Sequence, residues 1–174
     1  MSLLWLGACV EPQPGAGGPP AGPNQQMEAL AVPELPEGAV LSHFDFESRV
    51  SLEGYKLDQS SVKPGGTVKI TFYWRGDSPP QGDWRLFTHL LDASGRQLAN
   101  FDTVGPLRSA GSISSWQRGK LYVDEQEIQL PRELDTPFIT LAVGVWTGVV
   151  RLDLIGGVTD DKNRALVVRL PVTK

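Results

Sequence analysis

Between Thr67 and Trp74 the chain reads Thr-Val-Lys-Ile-Thr-Phe-Tyr-Trp, so that Val68, Ile70, Phe72 and Trp74 recur at every second residue. A period of two puts all four side chains on one face of an extended strand, and an α-helix would scatter them around its axis. The same alternation recurs in short runs separated by turn residues. Leu41–Phe46 and Val50–Leu57 are expected as half-buried strands, and Pro64-Gly65-Gly66 as the turn before Thr67. Trp84–Asp92, the tight turn Ala93-Ser-Gly-Arg96 and Gln97–Asp102 read as a hairpin. Leu121–Leu130, Phe138–Trp146, Val149–Leu154 and Ala165–Leu170 complete the set, with an irregular loop expected over Thr103–Lys120. No long window shows the 3.6-residue period of a helix. The pattern predicts an all-β fold, an antiparallel β-sandwich of immunoglobulin-like or jelly-roll type with eight or nine strands.

The N-terminal part is of another kind. Met1-Ser-Leu-Leu-Trp-Leu-Gly-Ala-Cys9 places the chain's one cysteine behind Leu6-Gly7-Ala8, the small-residue spacing of a bacterial lipoprotein cleavage site. The basic start of a secretory signal is absent from Met1–Ala8, so the reading rests on the apolar run ending in Leu6-Gly7-Ala8-Cys9 and the polar, proline-rich tract that follows it. It predicts a lipid on Cys9, membrane attachment through that lipid, and a protein of the cell envelope, in the outer membrane, periplasmic or surface-exposed. Stable anchoring of this kind takes more than one acyl chain. Prolines at 12, 14, 19, 20, 23, 33 and 36 and glycines at 15, 17, 18, 22 and 38 follow. A segment so poor in aliphatic residues buries too little apolar surface to offset the entropy of ordering, and proline stiffens it into a spacer. The expected organisation is a leader remnant over 1–8, a disordered Pro/Gly-rich linker over 9–40 and the sandwich over 41–174. The one stretch with apolar residues to dock is Met27–Pro36, through Leu30, Val32 and Leu35.

Charge and cysteine content narrow the function. A net charge of −4 and the lack of any basic run argue against nucleic acid, whose phosphates demand a basic face. With one cysteine there is no internal disulfide, and packing alone must hold the fold. Catalysis has few candidates. The two histidines, His43 and His89, accompany no Gly-x-Ser-x-Gly elbow. Asp102 and Asp124 are the one acid pair to nominate for glycoside hydrolysis, which needs two carboxyl groups ~5–9.5 Å apart across a cleft. His89, amid Leu86, Phe87, Leu90 and Leu91, has the setting of a hydrogen-bonded structural residue. Asp153, Asp160, Asp161 and Asn163 crowd oxygen ligands near one turn, but Lys162 sits among them and no EF-hand spacing is present. No metal, cofactor or catalytic residue is expected.

The tryptophans support binding. Trp74 and Trp146 end apolar strands and are expected in the core. Trp84, after Pro79-Pro80-Gln-Gly-Asp83, and Trp116, in the long loop, are better placed to stack on a ligand. The candidate ligand-binding residues are therefore Trp84, Trp116, His89, Asp102 and Asp124.

Leu52-x-Gly54-Tyr55-x-Leu57, Val62-Lys-Pro64-Gly65-Gly66, Phe72-Tyr73-Trp74, Phe87-x-His89-Leu90-Leu91-Asp92, Asp102, Trp116-x-x-Gly119, Asp124 and Val143-Gly144-Val145-Trp146 together resemble a β-sandwich accessory module of bacterial surface proteins and of the outer ends of membrane glycosyltransferases. The resemblance covers Leu52–Leu170 and departs from the module's pattern at Thr103–Gly111, where a proline-rich turn and a glycine are expected. It implies a non-catalytic recognition or assembly role, with an envelope protein or a surface glycan as partner. A carbohydrate-binding module, or a structural subunit of a secretion or motility apparatus, are the alternatives.

Overall fold

A computed structural model describes residues 22–174. Cys9 and the first part of the expected linker lie outside the described residues. Ten strands form two antiparallel sheets, and the all-β sandwich is the architecture observed. β1 (Ala31–Val32), β2 (Val40–Phe46), β3 (Val50–Leu57), β4 (Thr67–Gly76), β7 (Leu121–Gln129) and β9 (Leu154–Gly156) make the larger sheet, in the order β1-β7-β4-β3-β2-β9. β5 (Arg85–Leu91), β6 (Gln97–Asn100), β8 (Phe138–Trp146) and β10 (Ala165–Pro171) make the smaller one, in the order β10-β8-β5-β6.

The alternation in β4 does what a period of two requires. Val68, Ile70, Phe72 and Trp74 are all buried between the sheets, and Phe46 and Phe72 pack on the Trp74 ring at centroid distances of 5.9 and 6.5 Å. Leu86 and Leu90 of β5 and Ile139, Leu141, Val143 and Val145 of β8 meet them from the smaller sheet. Phe87 and His89 alternate to the outer face of β5. There the ring of Phe87 lies over Gly144, where an added Cβ would sit 2.3 Å from it. The segment after β8 folds back over this face, bringing the Arg151 guanidinium 4.7 Å above the Phe87 ring and burying Arg164 against the carbonyl of Gly95.

Three features differ from the sequence reading. The ordered body begins before residue 41: helix α1 (Pro23–Ala29) buries Met27 at 3% exposure, and β1 pairs with β7 at Ala31↔Tyr122 and Val32↔Leu121. Leu35 then crosses over Gly54 on the outer face of the larger sheet. The reason is local, because Met27, Leu30 and Leu35 are the first large aliphatic side chains after the Pro/Gly-rich run. The strand expected over Val149–Leu154 is a tight turn and a single bridge between Arg151 and Trp146, with β9 following it. The expected irregular loop holds a short helix, α2 (Pro106–Ala110), and a 3-10 turn at Ile113–Ser115. Leu107, Ala110 and Ile113 on these turns face the core, which is what folds the segment inward.

Candidate functional site

Four of the five residues singled out in the sequence gather around one buried polar centre. On β7 the inward positions are Tyr122, Asp124, Gln126 and Ile128, so period two carries an acid and an amide into the sandwich core. Arg108 descends from α2 to meet them. Its side chain is 4% exposed, that of Asp124 is fully buried, and the two are 3.0 Å apart. Thr88, inward on β5 between Leu86 and Leu90, accepts from Arg108 at 2.6 Å and from Gln126 at 3.2 Å, and Gln126 also donates to Asp124 at 2.9 Å. Burial pushes the Asp124 carboxyl up. The Arg108 guanidinium, Gln126 and the nearby Trp74 indole oppose that shift, the indole without completing a well-formed hydrogen bond. Gly105 makes the approach possible: at φ +104° it lies where an added Cβ would stand 2.7 Å from the Glu125 carbonyl and 3.0 Å from Asp124 Oδ1.

Asp102 and His89 adjoin this centre. Asp102 accepts from the Thr88 N–H at 3.0 Å and from Asn100 at 2.7 Å, and lies 3.7 Å from His89 Nε2. His89 stacks on Phe87 at 4.6 Å and is 4% exposed. Burial lowers its pKa to about 4; Asp102 and Asp160 oppose the shift, and Arg151 and Arg164 add to it. It is a neutral imidazole at pH 7. Asp102 and Asp124 are thus occupied by structural partners and do not flank an open cleft, so the sequence's acid pair has no catalytic geometry in this conformation.

Trp116 is corrected most clearly. It is 6% exposed, lies 4.9 Å from the Tyr122 ring at an angle of 34°, and packs beside Gly76, so neither face of its indole is open to a ligand. The Tyr122 hydroxyl accepts from the Gln117 N–H at 2.8 Å and fixes the loop in that place. The cavity shared by Trp116, Asp102, Arg108 and Leu107 is only about 40 Å³, the scale of a water rather than of a ligand. At the acidic turn, Asp160 accepts from Arg164 at 2.6 Å and Asn163 donates to Asp153 at 2.6 Å. No group of three His, Cys, Asp or Glu side chains converges as a metal-binding set among the described residues.

Trp84 has a different setting. It is partly exposed and lines an open groove of about 430 Å³ with Pro80, Arg49, Arg151, Glu47 and Val150. That volume falls in the ~300–1,000 Å³ range of small-molecule sites. Its carbonyl accepts from the Ile113 N–H at 3.1 Å, which ties the tryptophan to the core. The far wall is the turn joining β2 to β3. Glu47 and Ser48 both have φ of 54°, the left-handed region that Gly and Asn usually fill, within a three-residue loop between the paired Phe46 and Val50. Here the Arg49 N–H closes the turn onto the Phe46 carbonyl at 3.0 Å, and Asp45 accepts from the Ser48 N–H at 2.6 Å. Glu47 Oε1 accepts from the Asp153 N–H at 2.9 Å. Arg151 donates to the Lys162 carbonyl at 2.6 Å while lying on Phe87. The Arg49 guanidinium has no hydrogen-bond or ion-pair partner among the described residues.

Sequence reasoning reached Trp84 but missed Arg49, Glu47 and Arg151, because hairpin tips from distant parts of the chain carry no shared periodicity. Gln126 was within reach through the spacing of Tyr122 and Ile128. Arg108 gave no such signal. No family model matches the chain, and no curated protein matches it.

Proposed function

We propose that the chain is a non-catalytic recognition module, tethered at the cell envelope through lipid on Cys9, and that its Trp84 groove receives a saccharide ring. One observation carries the reading: a partly exposed indole packed against the core just before β5, bordered by two guanidinium groups and a carboxylate in an open groove. Indole faces suit the C–H face of a sugar ring, while the charged groups supply directional hydrogen bonds to its hydroxyls. A glycan array probed with the wild type and Trp84→Ala tests it. Loss of every hit in the variant, with unchanged thermal stability, supports the groove. Hits that persist in Trp84→Ala overturn it.

A second reading rests on a separate feature. At the tip of the turn after β8, Val149 is 93% exposed and Val150 57%, which forms an apolar rim that would suit a protein partner. Val149→Ser, at a position outside the groove lining, would remove such a partner in a pull-down from envelope extract while leaving glycan binding intact. For the tether, Cys9→Ser should move the protein from the membrane to the soluble fraction; a variant that sediments with membranes as the wild type does would rule the lipid out.

A further inference from the structure

We infer that the Trp84 groove selects acidic saccharides, in which a uronate carboxylate pairs with Arg49; the inference rests on the groove being the sugar site. The chain as a whole carries a net charge of −4, so the local balance at the groove runs against the rest of the molecule. Arg49, Arg151 and Glu47 all line it. Glu47 is already engaged by the Asp153 N–H, and Arg151 is held by the Lys162 carbonyl and the Phe87 ring. The neighbouring Arg85 is paired with Asp83 and adds no free charge. Arg49 remains, with its five N–H donors uncommitted among the described residues.

Its position is fixed even though its head group is free. The Asp77 and Ser78 N–H groups both donate to the Arg49 carbonyl at 2.9 Å, and the left-handed Glu47–Ser48 pair directly before it defines where the residue leaves the hairpin. A backbone held this firmly, at a turn that is strained for its residue types, fixes the point from which the guanidinium reaches over the groove. A neutral ring stacked on Trp84 would partly desolvate Arg49 and return hydrogen bonds in which only the donor is charged. A carboxylate on that ring forms two parallel charge-assisted bonds to the fork, the geometry guanidinium matches best.

The test titrates the full-length protein calorimetrically with a galacturonate trisaccharide and with its methyl ester, which keeps the ring and removes the charge. The wild type should bind the acid about tenfold or more tightly than the ester, and the margin should shrink as salt rises. Arg49→Gln, at an exposed position, should cost about tenfold in affinity for the acid and less for the ester, so that the ratio of acid to ester affinity falls towards one. Trp84→Ala should abolish both. Equal binding of acid and ester, or an Arg49→Gln variant indifferent to the acid, overturns the charge selection while leaving the groove as the sugar site. Full acid binding by Trp84→Ala overturns the groove and the inference together, as does failure of the wild type to bind either probe.

Discussion

Arg108 and Asp124 form an ion pair where the neighbouring positions are Tyr122, Ile128 and Leu107. Removing two charges from water costs several kcal/mol per ion, and their attraction repays this only with good geometry. Here Arg108 Nε and Asp124 Oδ1 remain unpartnered by protein atoms. Arg108→Met should therefore cost about 3–5 kcal/mol in urea denaturation by stranding a buried carboxylate, and Arg108→Met with Asp124→Leu should regain most of that loss. A double variant as unstable as the single would show that the pair is net stabilising. The tryptophans give a companion prediction. Trp74 and Trp116 are both closed off from solvent, so each replacement by Ala should cost about 3–5 kcal/mol, where a loop position would have cost far less. His89 sets a pH dependence. Its folded pKa of about 4 lies below the ordinary value of ~6.5, so the unfolded chain binds a proton that the folded chain refuses. The stability is complete above about pH 6.5 and is lost as the pH falls towards 4, by at most about 3 kcal/mol. Denaturation at pH 7.5 and 5.0, where carboxylates stay largely ionised, should show the decline in the wild type and a flatter response in His89→Gln.

At the scale of elements, the arm formed by α1 and β1 belongs to the sandwich. Met27 is buried, its Cε lying near Gly111 beside α2, and Glu28 forms an ion pair with Lys120. A chain beginning at Pro36 should lose more than ~2 kcal/mol relative to the full chain, the scale of uncovering one large apolar side chain. Met27→Ala alone should account for about 2–4 kcal/mol of this in thermal or chemical melts. Equal stability with and without the arm would mean that α1 docks without contributing. Strand positions were legible in the sequence wherever two-residue alternation ran for four or more positions, as in β3, β4, β7 and β8. Met27–Leu35 was harder to read, because its apolar residues are too few to show a period and gain their meaning from a groove built elsewhere. The Val149–Leu154 segment misled for the opposite reason: its valines look like strand residues but sit exposed on a turn.

For the molecule as a whole, both sheets join local hairpins through non-local pairings. β4 joins β7 from Thr67↔Gln129 to Arg75↔Leu121, and β1 reaches across to β7 from nearly ninety residues earlier. Closing such loops before contacts form is slow, so refolding should occur in milliseconds to seconds rather than microseconds, measurable by stopped-flow tryptophan fluorescence. The candidate site obeys the same logic. Its walls come from the β2–β3 turn, the approach to β5 and the turn after β8, and the sandwich brings together what the chain keeps a hundred residues apart.

β1 is two residues long, yet among the described residues it is the one strand paired to the outer side of β7. It covers the Leu121–Val123 end of β7, and without it that end too would present unpaired amide and carbonyl groups to a passing chain. The arm is therefore a guard against self-association as much as a source of stability. Its loss should favour sheet-extended self-association at high concentration, before any unfolding is seen.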